Sequence, residues 1–200
     1  VSYRKIDQAQ APAAVVDASC SLRWLELNAE RFGFDLDKVV LSGNSAGGHL
    51  AMMAAYSNRS GLFDGPCWNG VGPKIAAVVN WYGISDVEAM LADGHEPHAY
   101  AIQWIGNAPD VHALAKRVSP IHYVSSLSSP TISIHGTKDT VVSYQQSIKL
   151  HEQLAKAKVT QQLVSIAEKG HGEFDAQEYA HAYDCVWEFL SRLNLMPVKP

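Results

Sequence analysis

The amino-acid sequence predicts an α/β fold: a mainly parallel sheet with helices on both faces. Short apolar runs alternate along the chain with longer stretches of helical periodicity. The runs are continuously apolar rather than alternating, which is typical of strands buried on both faces. The length of 200 residues and the hydrophobic content of 47% suit a single domain with a substantial core. We therefore expect one domain over residues 1–200.

The first half of the chain predicts helix, strand, helix and strand in turn. Pro12 suits the first turn of a helix, whose apolar positions recur at helical spacing until Gly33 ends it. Residues 38–42 (KVVLS) are predicted as a buried strand, residues 45–56 as a small apolar helix and residues 75–82 as a second strand.

The second half of the chain repeats this alternation. Residues 131–135 (TISIH), between a proline and a glycine, predict a third strand. Ser143 is a suitable N-cap for a helix that runs to about Lys158. Residues 161–166 predict a fourth strand, and the amphipathic stretch 174–193 predicts a final helix.

Residues 84–129 interrupt the regular pattern. The segment is about twice as long as an ordinary crossover and is irregular, with several prolines. Long inserts beside a sheet are more often functional than decorative, so we expect a cap-like insert. It carries Tyr100 and Trp104 but also His95 and His98, which favours a modest, partly polar pocket.

Composition excludes several classes of partner. The formal net charge is −4 and the 16 Lys and Arg residues are scattered, which argues against nucleic acid or an anionic membrane as the main partner. No apolar run approaches the length of a membrane span.

The three cysteines, Cys20, Cys67 and Cys185, are expected to be unpaired thiols packed as small apolar groups, with one disulfide as the alternative. A cytoplasmic location is the default expectation.

A nucleophile motif lies between the first predicted strand and the next helix. Gly43-Asn44-Ser45-Ala46-Gly47 matches G-x-S-x-G in the strand-to-helix context that the pattern requires. A serine on so sharp a turn needs small neighbours, which Gly43 and Gly47 provide. The helix N-terminus brings backbone N–H groups close to the serine oxygen. We therefore predict Ser45 as a nucleophile, the Ala46 N–H as an oxyanion donor, and Asn44 as part of the turn; an ordinary glycine-rich turn is the alternative.

A serine needs a base, and the base needs an orienting carboxylate. His171 lies between two glycines after the fourth predicted strand, at the edge where α/β folds place their sites. Asp139 lies just beyond the third strand. The chain order Ser45, Asp139, His171 is the one that α/β-hydrolases use. Asp86, which also follows a strand, is the rival carboxylate.

Four other histidines receive no catalytic role. His49 follows the nucleophile by one helical turn and is expected to point away from its open side or into packing. His135 closes a strand and is interpreted as structural. His151 and His181 lie in predicted helices and are expected at the surface.

No metal or cofactor is predicted. His95 and His98 flank Glu96 and look superficially like metal ligands, but Pro97 breaks the helix that they would need. Residues 43–48 have the wrong spacing for a phosphate loop and contain no lysine.

These motifs together resemble the α/β-hydrolase superfamily. Residues 43–51 (GNSAGGHLA) are similar to the nucleophile segment of the carboxylesterase, acetyl-esterase and feruloyl-esterase-like group near the hormone-sensitive-lipase family. Four more segments resemble the family's, the last two being its acid and base loops: residues 2–4, 119–124, 135–142 and 170–172. The resemblance covers nearly the whole chain. It implies that Ser45, Asp139 and His171 are nucleophile, orienting acid and base.

Two family elements are expected to be missing. Members carry a His-Gly-Gly type loop, upstream of the position of residues 3–4, that supplies the remaining oxyanion N–H groups, and the first strands of their sheet are not found here either. We therefore expect an N-terminally truncated hydrolase with an open apolar edge at strand 38–42. Open edges are templates for pairing, so we expect a homo-oligomer, or another segment of a longer polypeptide, to cover it.

The expected function is hydrolysis of short acyl esters through an acyl-enzyme, with activity that the missing oxyanion loop would weaken. An amide-cleaving relative, of formamidase or oligopeptidase type, would use the same residues. A hydrolase-fold module that binds a ligand or partner without catalysis is a further alternative.

Overall fold

The computed structural model describes residues 1–196 except residues 59, 66, 68, 69, 71 and 93–96. Its helices and strands, in chain order, are α1 (Ala13–Leu27), α2 (Ala29–Phe32), β1 (Val40–Asn44), α3 (Ala46–Tyr56), β2 (Ala77–Trp81), α4 (Val87–Ala92), α5 (Pro97–Ile105), α6 (Val111–Arg117), β3 (Thr131–Gly136), α7 (Gln145–Lys156), β4 (Gln161–Ile166) and α8 (Ala176–Arg192). All the predicted strands and helices are present with ends shifted by a few residues, except that the predicted first helix is divided at Asn28 into α1 and α2.

The four strands form one parallel sheet in the order β1-β2-β3-β4. Asn44, the last residue of β1, lies opposite Trp81, the last residue of β2. Because every strand runs the same way, the loops that follow all four strands meet at one edge of the sheet. Strand β1 is at the side of the described sheet, as the open-edge prediction requires.

The core lies on both faces of the sheet. All of β2 and β3 is buried, including the polar residues Asn80 of β2 and Ser133 and His135 of β3. On one face, Phe189 and Val186 of α8 join the cluster of inward strand residues. On the other face, Met52 of α3 and Leu150 of α7 pack together.

The insert over residues 84–129 is more regular than the sequence predicts. It contains α4, α5 and α6, and Asp110 caps α6 by accepting a hydrogen bond from the Ala113 N–H at 2.8 Å. Ile105 and Val118 are fully buried in a third cluster with Met53 of α3. The prolines lie at or near the starts of short helices. The buried residues of the segment pack against α3 in the body of the domain.

Two expectations about single side chains are wrong. Cys20 and Cys67 form a disulfide with a Cα–Cα distance of 5.6 Å, while Cys185 is free and half-buried. The loop that carries Cys67 folds back on α1, a long-range contact that cysteine spacing does not reveal. His151 is buried rather than exposed, because it faces β4, where its Nδ1–H donates to Gln161 Oε1 at 2.5 Å. Among the helices of the described ranges, none is both long and apolar enough to cross a bilayer.

Candidate active site

Ser45 occupies a sharp turn between β1 and α3. Its backbone has φ 53° and ψ −121°, a positive φ that residues other than glycine rarely adopt. The surrounding structure holds this conformation: the Ser45 N–H donates to Trp81 O at 2.8 Å, and the Ser45 carbonyl accepts from the His49 N–H at 3.0 Å. Strained backbone of this kind is concentrated at active sites.

The close approaches at this turn involve Gly43 and Gly48. A Cβ atom on Gly43 would lie 2.3 Å from Gly47 O, and one on Gly48 would lie 2.6 Å from Asn80 Oδ1. A Cβ on Gly47 would meet only Asn44 Oδ1, at 3.9 Å. The steric reason that the sequence offered for Gly47 is therefore wrong, and Gly48 supplies the second close approach.

The structure brings the three predicted site residues together. The Ser45 hydroxyl donates to His171 Nε2 at 2.8 Å, and the His171 Nδ1–H donates to Asp139 Oδ2 at 2.7 Å. The Asp139 side chain is fully buried, whereas the His171 side chain is 18% exposed. The histidine therefore reaches both the buried carboxylate and the open side of the serine.

The Asp139 carboxylate is held in its ionised form. Burial by itself raises the pKa of Asp139, but hydrogen bonds from His135, His171 and the Val142 N–H outweigh burial and hold this pKa well below its usual range. Its Oδ1 accepts from the Val141 and Val142 N–H groups at 2.8 Å each. A carboxylate that is ionised at neutral pH favours the His171 tautomer with the proton on Nδ1, which leaves Nε2 free to accept.

The other candidates of the sequence lie elsewhere. Asp86 Oδ1 accepts from the Ala89 N–H at 2.9 Å in the first turn of α4, so the rival carboxylate serves a helix end. His95 and Glu96 lie outside the described residues. Within the described ranges no group of three or more His, Cys, Asp or Glu could hold a metal ion. Ala46 is the exposed first residue of α3, so its N–H has no acceptor within the helix.

His49 is packed, as its position predicts. Its Nδ1–H donates to Ile84 O at 3.0 Å, and Trp104 lies edge-on to its ring at 5.3 Å between centroids. Burial, only partly offset by the bond to Ile84, lowers the pKa of His49 to about 4. The ring is therefore neutral at physiological pH and packed against Ile84 and Trp104.

A cavity of about 780 Å³ opens beside Ser45 and His171. Its walls are mainly apolar, with Ile84, Val87 and Trp104 contributed by the insert. Residues 3–7 form part of another wall, which the sequence did not indicate because the family resemblance at residues 2–4 assigns no pocket role to them. A pocket of this size and character suits a small organic substrate.

His135 is the polar neighbour that sequence reasoning missed. It was interpreted as structural, yet its Nε2 lies 3.2 Å from Asp139 Oδ2, the oxygen that His171 also contacts. The available signal was its position at the end of β3, four residues before the predicted acid.

Comparison with known proteins finds similar sequences and folds among esterases. The family BD-FAE matches residues 1–154. Esterase LipQ of Mycobacterium tuberculosis is 29% identical over 153 residues, which cover 74% of this chain and 35% of that protein. The carboxylic ester hydrolase LipM of the same organism, named as probable, is 27% identical over 202 residues, or 96% of this chain and 46% of LipM. The chain thus spans about a third to a half of these relatives.

One similar protein is named as a peptidase rather than as an esterase. The uncharacterized peptidase YtmA of Bacillus subtilis is 28% identical over 119 residues, which cover 59% of this chain and 41% of that protein.

Solved structures share the fold over almost the whole chain. A truncated carbohydrate esterase from gut microbiota has a TM-score of 0.80 and 26% identity, covering 96% of this chain and 73% of that one. The propionate-bound esterase Est2 of Thermogutta terrifontis has a TM-score of 0.80 and 25% identity, covering 100% of this chain and 72% of that one. The parallel sheet, the match to residues 1–154 and these neighbours together show that the chain has the α/β-hydrolase fold and belongs to the BD-FAE family.

Proposed function

We propose that the protein is a serine carboxylic-ester hydrolase that acts on short acyl esters through an acyl-enzyme. The observation that carries the proposal is the continuous hydrogen-bonded path from Ser45 Oγ through His171 to Asp139. This path ends at an apolar cavity large enough for a small ester. The esterase names of several relatives agree with it.

The geometry supports the following acylation step. Ser45 Oγ attacks the ester carbonyl carbon while His171 Nε2 takes the hydroxyl proton. Asp139, ionised and buried, stabilises the imidazolium that forms. The Ala46 N–H donates to the developing oxyanion, an interaction whose loss typically costs about 10²–10³ in kcat.

Further proton transfers through His171 complete the acyl-enzyme and then hydrolyse it. His171 gives its proton to the leaving alcohol oxygen as the tetrahedral intermediate collapses, which leaves the acyl group on Ser45. A water molecule then loses a proton to His171 Nε2 and attacks the acyl carbon. Collapse of the second intermediate releases the carboxylic acid and returns the proton to Ser45 Oγ.

The test is hydrolysis of a chromogenic acetate by the chain and by Ser45→Ala. We expect Ser45→Ala to lose at least about 10³-fold in kcat, because removal of a triad nucleophile leaves only the residual rate of the pocket. The exposed helix residue Ser191 offers a matched control, and Ser191→Ala should keep the parent rate. A parent chain that is no faster than Ser45→Ala contradicts the proposal.

Amide cleavage is the second candidate, and the match to the peptidase-named relative favours considering it. The same residues would act, with His171 protonating an amine leaving group. Turnover of an ester and an amide that share one acyl group separates the two activities. We expect the ester to react faster, and a larger kcat/KM for the amide would reverse the assignment.

A non-catalytic binding module is the remaining alternative. A fluorophosphonate probe distinguishes it, because such probes form a bond only with an activated serine. We expect labelling at Ser45 and none in Ser45→Ala.

A further inference from the structure

His135 is a buried histidine with both ring nitrogens engaged. Its side chain has no exposed surface. Its Nε2 faces two acceptors, Asp139 Oδ2 at 3.2 Å and Val142 O at 2.9 Å. A carboxylate and a carbonyl oxygen only accept hydrogen bonds, so Nε2 must carry a proton. Its Nδ1 lies 2.7 Å from Ser147 Oγ on α7. In the neutral ring, Nδ1 then carries no proton and accepts a hydrogen bond from the Ser147 hydroxyl, while Nε2 donates.

The carboxylate of Asp139 is consequently held from several directions. The loop N–H groups of residues 141 and 142 bind Oδ1. In the described part of the chain, the side chains that hydrogen-bond to the carboxylate are His135 and His171, and both use Oδ2. Without His135, Oδ2 would be fixed only by the histidine that it is meant to orient.

Resting on the proposed hydrolase function, we propose that His135 is a positioning residue: it holds Asp139 Oδ2 in line with His171 Nδ1, and Ser147 holds His135 in the tautomer that this requires. His135 does not line the cavity. It therefore acts on the reaction through Asp139 and His171, without touching the substrate.

The electrostatics of the site agree with this role. Burial of Asp139 opposes its charge, and the Nε2–H of His135 is among the donors that lower its pKa in spite of burial. Each of the two histidines also contacts an aromatic ring. Tyr144 lies edge-on to His135 at 5.6 Å between centroids, and Tyr82 lies edge-on to His171 at 4.7 Å. His135 thus both orients Oδ2 of Asp139 and stabilises the negative charge of the carboxylate.

A purely structural role would predict something different. His135 also ties β3 to α7 through Ser147, and loss of that tie would lower stability without a selective effect on kcat. His151 offers the matched control, because it is another buried histidine on the contact between α7 and the sheet. It bonds to Gln161 and makes no hydrogen bond to the three site residues.

The experiment compares His135→Phe, His135→Gln and His151→Leu in steady-state ester hydrolysis. Phe keeps a planar ring without a donor, whereas the Gln amide can donate from near the position of Nε2. We expect His135→Phe to lose about 10- to 100-fold in kcat with little change in KM, since a misplaced catalytic group costs on this order. His135→Gln should recover several-fold of that loss. His151→Leu should keep the parent kcat.

The pH profile gives a readout that a structural tie would not move. Loss of a donor to the carboxylate makes the free enzyme bind a proton more tightly, because the negative charge of Asp139 is then less stabilised. The acidic limb of kcat/KM in His135→Phe should therefore move to higher pH by about one unit. His135→Phe with parent kcat and an unmoved limb overturns the proposal, as does an equal fall in kcat for His151→Leu.

Two measurements keep the outcome decisive. If His135→Phe does not fold, Ser147→Ala replaces it, with a smaller fall in kcat and the same direction of pH shift expected; parent behaviour then overturns the proposal. If the parent chain fails to hydrolyse esters, the proposed function fails, and the rate of fluorophosphonate labelling at Ser45 tests His135. A parent labelling rate in His135→Phe, or no labelling of the parent chain, rejects the role of His135.

Discussion

His171 Nε2 lies 2.8 Å from Ser45 Oγ although 126 positions separate the two residues in the chain. The parallel order of the strands makes this possible, since Ser45 follows β1 and His171 follows β4 at the same edge of the sheet. Asp139 follows β3, which lies between them in space, next to β4. The site thus depends on which strand ends the three residues occupy more than on the loops that join them.

Substitution of the acid tests the orientation of the imidazole. We expect Asp139→Asn to lower kcat by about 10³–10⁴-fold at neutral pH with little change in KM, because an amide can donate to Nδ1 and stabilise the wrong tautomer of His171. Ester hydrolysis at saturating substrate measures the effect. The control is Asp86→Asn, since asparagine also caps helices well. If Asp86→Asn is the more damaging change, the roles of the two carboxylates are the reverse of those assigned.

The glycines around Ser45 should differ in their tolerance of a methyl group. Gly43→Ala places Cβ against the Gly47 carbonyl, so we expect a loss of about 1–3 kcal/mol in unfolding free energy and a large fall in activity. In Gly47→Ala the new Cβ would make only an ordinary contact with Asn44 Oδ1, near the start of α3. This variant should leave the unfolding free energy unchanged or raise it by up to about 1 kcal/mol. Urea denaturation of the two variants is the measurement. Equal destabilisation by both would contradict the steric account.

The disulfide should make a large contribution to stability. Cys20 and Cys67 are 47 positions apart, and closing a loop of that length stabilises a protein by about 4 kcal/mol in the chain-entropy treatment. We expect Cys20→Ser/Cys67→Ser to show a lower Tm than the parent chain, and a reductant to lower the Tm of the parent but not of this double variant. Cys185→Ser is the control and should leave the response to reductant unchanged. A parent Tm that is indifferent to reductant would refute the prediction.

The sequence predicts the elements of this fold well because their signals are local. A mostly apolar run marks β2, a proline and a glycine at its ends mark β3, and glycines mark the turn at Ser45. The disulfide was missed because it depends on where the loop carrying Cys67 folds, which no local pattern encodes.

The surroundings of the site were less predictable for a similar reason. His135 and His151 are both buried, yet only the packing of α7 against β3 and β4 shows which groups they meet. The close approach at Gly48 depends on Asn80 of β2, which is far away in sequence and which no local pattern connects to it.

The position of β1 predicts self-association. In the described sheet β1 pairs with β2 on one side only, and its residues are half-buried or exposed. Unpaired N–H and C=O groups on such a strand favour pairing with another chain. We expect a dimer or larger species by light scattering at micromolar concentration. Ser42→Lys, which places a charge on the exposed centre of β1, should reduce the apparent mass. A monomeric parent chain would contradict this expectation.

His49 should make folding sensitive to mild acid. Its pKa is about 4 in the folded chain, whereas the ordinary value is 6.5. Between these values the unfolded chain binds a proton that the folded chain excludes, so stability is complete above pH 6.5 and falls as the pH drops toward 4. The shift corresponds to a loss of about 3 kcal/mol over this range.

The measurement is urea denaturation of the parent and His49→Asn at pH 7 and pH 4. Asparagine can still donate to Ile84 O but does not titrate, so the variant should lose about 3 kcal/mol less than the parent chain on acidification. His181→Asn is the control, because His181 is an exposed histidine whose removal should leave the acid response unchanged. Stability is the readout rather than activity, since His49 lines the cavity beside Ser45. If the parent chain and His49→Asn lose the same free energy between the two pH values, His49 is not the group that titrates on unfolding.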